Sequence, residues 1–166
     1  KSAKKDPASR PDPFALPPLP EPLLPLARND DDRAWGIVVA GVGGTGVITI
    51  GQLLGMAAHL EGKGIVTQDA AGLAQKGGST WSHVQIANRM EAIHTTKVGT
   101  AEADLVIGCD AIVTANKATL AVMREGRTFV AMNTHGTPTA AFVSNPNWQF
   151  PAASCDATIV AAVGAE

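Results

Sequence analysis

An α/β fold with a mostly parallel sheet and one hairpin is predicted by three observations. Short β-branched runs alternate with helix-period segments. The first run passes into a helix through a glycine-rich turn, and a two-residue polar turn separates two further strand-like runs. These features begin only at Ala34, because eight of the 11 prolines precede residue 26 while none of the 17 glycines precedes Gly36. Residues 1–33 therefore read as a Pro-rich arm or linker, since proline fixes φ and removes an amide donor and so favours extended polyproline II backbone. Residues 34–166 read as the folded domain.

Ile37-Val38-Val39-Ala40 suits a strand covered on both faces. After Gly41-Val42-Gly43-Gly44-Thr45-Gly46, the apolar positions Val47, Ile50, Leu53, Leu54, Ala57 and Ala58 mark one stripe of a helix that stops near Glu61-Gly62. Ile65 to Gln68 is the second strand, followed by Asp69, a loop or short helix to Lys76, and a break at Gly77-Gly78-Ser79. Trp81 to Ala87 and Glu91 to Thr96 are expected to pair as a hairpin around Asn88-Arg89. Ala103 to Gly108 is a further strand, Ala111 to Met123 one helix, and Thr128 to Met132 a last strand. The segment after Thr139 is weakly patterned, with helix-like content from Ala157 to Val163.

Composition narrows the function. With 13 Lys plus Arg against 15 Asp plus Glu, the net charge of -2 lacks the basic excess that phosphate neutralisation demands, so no nucleic-acid partner is expected. No apolar run reaches the roughly 20 residues needed to span a bilayer, which excludes a membrane partner of that kind and favours a cytoplasmic location. Cys109 and Cys155 form no CxxC pair, and His59, His83, His94 and His135 show no i, i+4 pairing, so no metal site is assigned. The chain starts at Lys1 rather than Met, and a piece of a longer protein is expected.

Gly41, Gly43, Gly44 and Gly46 stand between a strand and a helix, where glycine permits positive φ and leaves amides facing an anion at the positive end of the helix. A phosphate, pyrophosphate or carboxylate is expected there, with the Thr45 hydroxyl as an added donor. Asp69 falls near the offset at which a dinucleotide fold places its ribose-binding acid, so NAD is one candidate. The alternative is structural, with the glycines admitting close helix packing and Asp69 capping a turn. Gly77, Gly78 and Ser79 form a second small-residue loop, and Asn133 follows the last strand. The loops at Gly43, Asp69, Asp110 and Asn133 are expected to converge on one sheet edge. No catalytic residue is assigned.

Beyond the glycine turn, Leu53-Leu54-Gly55-Met56-Ala57-Ala58, Gly72-Leu73-Ala74-Gln75-Lys76-Gly77-Gly78, Ser82-His83-Val84-Gln85-Ile86-Ala87, Ala103 to Asp110 and Asn133-Thr134-His135 follow in order. This series, over residues 35–143, resembles the gamma-type domain of 2-oxoacid:ferredoxin oxidoreductases, above all that of the long fused indolepyruvate type. The resemblance implies a Rossmann-like three-layer sandwich. It also implies an enzyme that oxidatively decarboxylates a 2-oxoacid, forms an acyl-CoA and passes electrons to ferredoxin. Thiamine diphosphate with Mg and iron-sulfur clusters are implied for other domains of that enzyme, which are the implied partners together with ferredoxin. For this domain the resemblance leaves packing against the thiamine domains and a CoA-phosphate site at the glycine loop; a homo-oligomer is also expected. The isolated segment is expected to be inactive. The competing readings are an NAD-binding oxidoreductase fragment and a noncatalytic docking domain.

Overall fold

The computed structural model describes residues 33–72, 78–136, 147 and 149–164. The Pro-rich arm up to residue 32, Gln75, Lys76 and Gly77 of the second loop, and residues 139–143 lie outside the described residues. Five strands form one mixed sheet: β1 (Trp35–Val42), β2 (Gly64–Ala71), β3 (Ser79–Ala87), β4 (Leu105–Gly108) and β5 (Phe129–Met132), in the order β2-β3-β1-β4-β5. The helices are α1 (Val47–Leu60), α2 (Ala111–Thr114), α3 (Lys117–Leu120) and α4 (Ala152–Val163).

The sheet is less parallel than the sequence predicts. β1, β4 and β5 pair in parallel, but β3 runs antiparallel to both β1 and β2. The expected hairpin is therefore misplaced: β2 and β3 form it, and Glu91 to Thr96 is not a strand. Both edges of β3 are already taken, so the segment beyond Asn88 cannot pair with it and enters a 3₁₀ turn, Met90–Ala92. The predicted helix from Ala111 to Met123 is likewise broken in two. The Asn116 side chain accepts from the Ala118 amide at 3.0 Å and starts a new turn, the competition with backbone bonding that makes Asn a capping residue.

Helix α1 packs on β1, β2 and β3 through the small positions Gly51 and Gly55, which lie over Ser82 and Thr67. On the opposite face Val38, Val98, Ala103, Val106, Val122 and Met123 form the core, with Trp81, Leu120, Val130, Ala162 and Val163 packed against it. Among the described residues the layer on the α1 side stops short of the β5 edge, where Phe129 is 65 % exposed. Among the described residues helices thus flank both faces of the sheet, with β5 left without cover on the α1 side.

At the opposite end of the strands, Asp104 joins the starts of β1, β4 and β5. Its carboxylate accepts from Arg33 at 2.8 and 3.0 Å, from the Gly36 amide at 3.0 Å and from Arg127 at 3.2 Å. Burial alone would raise its pKa, but these donors prevail and hold it at about 2.

Candidate functional site

β1 reaches the sheet edge at Val42, and the chain must then turn through four residues into α1. Gly44 and Gly46 sit at φ 95° and 88°, the left-handed region that side chains disfavour, and a Cβ on either would meet nothing within 4 Å. Gly41 differs. A Cβ there would lie 2.7 to 2.9 Å from Thr45, Cys109 and Val47, so this glycine serves close packing rather than ligand approach.

The amides of this turn divide into two groups. Gly43 N–H donates to Gly78 O at 2.8 Å and Thr45 N–H to Val42 O at 3.1 Å, so both are used internally. Gly44, Gly46, Val47 and Ile48 N–H have no partner among the described residues, and Gly46 caps α1 without a side-chain bond. A 14-residue helix thus begins with open donors at its positive end. The Thr45 hydroxyl is not the extra donor expected, because it donates to Val42 O at 2.7 Å.

Strand order explains what lies beside the turn. From β1 the chain proceeds through α1 to β2 on one side, while β4 and β5 extend the sheet on the other. The crevice between β1 and β4 is therefore a topological switch point, the usual ligand position in such sheets. A cavity of about 470 Å³ opens beside it, over the ends of β4 and β5, lined by Thr45, Ile50, Ile107, Gly108, Cys109, Ala131, Met132 and Asn133. Its walls are mostly apolar, with Thr45 and Asn133 as polar side chains, and Thr45 belongs to both cavity and glycine turn.

The sequence-predicted residues separate accordingly. Gly41, Gly43, Gly44, Thr45, Gly46, Gly78, Ser79 and Asn133 gather at one edge, with Ser79 beside Val42 in the ladder. Asp110 follows β4 at the same edge, but its side chain caps α2 by accepting from Val113 N–H at 3.0 Å. Asn133 holds its loop in place, donating from its side chain to Cys109 O at 3.4 Å and accepting from His135 N–H at 3.0 Å.

Asp69 is not brought to the turn. It lies within exposed β2, in register with Ser82 and through it with Val39, so β3 intervenes between it and β1. Two strand spacings place it about 10 Å sideways, and four residues of strand about 13 Å along, from Gly43. In a dinucleotide fold the acid's strand neighbours β1 directly, so the spacing argument for NAD loses its geometric basis here.

Ile50, Ile107, Cys109, Ala131 and Met132 were not legible as site residues. Cys109 borders the cavity, and burial, followed by the charge of Asp110, raises its thiol pKa.

Among the described residues no group of three or more His, Cys, Asp or Glu is placed to hold a metal ion, and no helix is long and apolar enough to cross a membrane.

The family described as pyruvate ferredoxin/flavodoxin oxidoreductase matches residues 36–164. Indolepyruvate oxidoreductase subunit IorB of Archaeoglobus fulgidus is 44 % identical over 52 residues, 31 % of this chain and 26 % of the relative. The subunit of the same name from Methanothermobacter thermautotrophicus is 34 % identical over 73 residues, 44 % of this chain and 35 % of the relative. The chain thus spans between a quarter and just over a third of these curated relatives. Among solved structures, pyruvate oxidoreductase subunit PORC of Thermotoga maritima matches with a TM-score of 0.47 and 21 % identity, covering 67 % of this chain and 55 % of that one. A 2-oxoglutarate:ferredoxin oxidoreductase of Magnetococcus marinus, solved with 2-oxoglutarate, coenzyme A and succinyl-CoA bound, matches with a TM-score of 0.49 and 20 % identity, covering 65 % and 18 %.

Proposed function

The chain belongs to the pyruvate ferredoxin/flavodoxin oxidoreductase family, and from that premise we propose that it is the gamma-type domain of an enzyme that oxidatively decarboxylates a 2-oxoacid, indolepyruvate foremost, to an acyl-CoA with ferredoxin as electron acceptor. Its own part is to present the open amides of Gly44, Gly46, Val47 and Ile48 to the phosphates of CoA. The observation that carries this is the pairing of those amides with an apolar crevice at the switch point.

The described residues fit a phosphate-bearing group: the donors lie at a helix end that favours negative charge, and no described atom lies within 4 Å of where a Cβ of Gly44 or Gly46 would stand. CoA supplies the thiol that accepts the acyl group. Gly44 and Gly46 let the backbone approach the phosphates, and Ile50, Ile107 and Met132 offer an apolar wall beside them. Thiamine diphosphate with Mg and iron-sulfur clusters do not fit the described donor set, so no step is assigned to them in this domain.

A second role is docking. Helix α1 carries no charged residue, and Leu53, Met56 and Leu60 remain exposed on the side away from the sheet. An exposed apolar stripe on a helix whose other face is already seated on the sheet is normally covered, which supports packing against the other domains of the enzyme or a second copy.

Calorimetric titration of this chain with CoA and NAD tests the ligand reading. CoA is expected to bind, and Gly44→Ala and Gly46→Ala to weaken it by about tenfold or more, the loss of one charge-assisted hydrogen bond. Equal CoA affinity in both variants, or preference for NAD, would overturn it.

A further inference from the structure

A second polar cluster lies away from the crevice, on the core-facing side of β2 and β3. Val38, His83 and Gln68 stand side by side across β1, β3 and β2. Above them passes the segment 93–97, which links the 3₁₀ turn to Val98 of the core. Side chains from both strands hold it down. Gln68 accepts from the Thr96 hydroxyl at 2.6 Å, and Gln85 donates to the Thr95 hydroxyl at 2.8 Å and to Lys97 O at 3.2 Å. His83 sits within this frame, 7 % exposed, and its buried Nδ1 has no hydrogen-bond partner among the described residues.

We propose that segment 93–97 is an acid-released strap, closed while His83 is neutral and opened when His83 takes up a proton beneath it. The chemistry is direct. A neutral imidazole tolerates an unpartnered ring nitrogen at moderate cost, whereas an imidazolium carries N–H donors on both nitrogens and a charge that burial penalises. Neither flanking strand offers a counter-charge on this face. β1 supplies Gly36, Val38 and Ala40, and β2 supplies Val66, Gln68 and Ala70, while Asp69 points to the other side. The strap brings Lys97, a like charge, and exposed His94. Burial first and Lys97 second lower the His83 pKa from its ordinary 6.5. Opening lets water reach the ring and moves Lys97 away, so the open form binds the proton better and gains population as pH falls below 6.5.

The linkage also sets a ceiling. Opening rises as pH drops from about 6.5 and levels off once the closed form is itself protonated. Between pH 7.5 and 5.5 the gain cannot exceed about tenfold for one histidine of ordinary open-state pKa.

Relaxation-dispersion NMR of the full chain at pH 7.5 and 5.5 reads this directly. The open population sensed by residues 93–97 is expected to rise by up to about tenfold at pH 5.5 while the β1 and β4 amides report no such process. The rise should vanish in His83→Gln and persist in His94→Gln. A carbon-detected titration of the His83 ring in the unsubstituted protein covers the case in which His83→Gln fails to fold. A midpoint below 6.5 is expected. An unchanged open population of the strap, a rise that vanishes only in His94→Gln, a rise shared by the whole sheet, or a His83 midpoint at or above 6.5 would each overturn the proposal.

Discussion

The close seating of α1 places its first turn beside the crevice, and Gly51 is where that seating is tightest. A Cβ at residue 51 would stand 2.0 Å from Ser82 Oγ and 2.8 Å from its Cβ, well inside any real contact, and Ser82 is fully buried on central strand β3. Gly51→Ala must therefore lift the helix or rotate Ser82. Overpacking of this kind costs about 1–3 kcal/mol, against which the better helix propensity of alanine returns about 1 kcal/mol. A net loss of about 1 kcal/mol is expected, near 3 °C in melting temperature for a domain of this size. Ser82 sharpens the test, because its buried Oγ has no hydrogen-bond partner among the described residues. Ser82→Ala should be neutral or stabilising by about 1 kcal/mol, since an unpaired hydroxyl is removed. It also deletes the nearest clash, so the double variant should be more stable than the sum of the singles by at least about 0.5 kcal/mol. Denaturant midpoints for the four proteins measure this. A Gly51→Ala protein more stable than its parent, combined with strict additivity, would show that α1 is not seated against β3 as described.

Asp104→Asn should destabilise by about 2–3 kcal/mol, less than a fully enclosed ion pair because Arg33 and Arg127 are partly solvated. Its folded pKa of about 2 lies below the ordinary 3.8, so its contribution is complete above pH 3.8 and is lost as pH falls toward 2; stability curves of parent and variant should converge over that window. Asp110→Ala should cost about 1 kcal/mol through loss of the α2 cap, and Asp110→Ser should restore it, as thermal melts would show. Cys109, its thiol pKa raised by burial and Asp110, should alkylate slowly at neutral pH and faster above pH 9, and CoA should slow the reaction if it fills the crevice. Mass spectrometry of alkylated Cys109 would follow it.

The β1–turn–α1 unit was readable because its signals are local: a β-branched run, glycines and a 3.6-residue stripe over the span of one unit. The sheet order was not. Nothing between Ile65 and Thr96 states that β3 returns between β2 and β1, and that single insertion moves Asp69 two strands from the glycine turn. The same insertion denies Glu91 to Thr96 the edge of β3 with which they were expected to pair. Asn116 did carry a local signal, as a capping residue inside an apolar helical stripe. The crevice residues Ile50, Ile107, Ala131 and Met132 look in sequence like any core positions, and it is the side of β4 and β5 left uncovered among the described residues that makes them a wall.

The account rests on open amides at the start of α1 receiving phosphate. Amide-resolved NMR titration with CoA, and separately with pantetheine as the phosphate-free control, addresses this most directly. The account predicts that CoA shifts Gly44, Gly46, Val47 and Ile48 in one saturable process, and that pantetheine leaves them in place. Saturable CoA binding that leaves those four unmoved, or equal shifts with pantetheine, would contradict it.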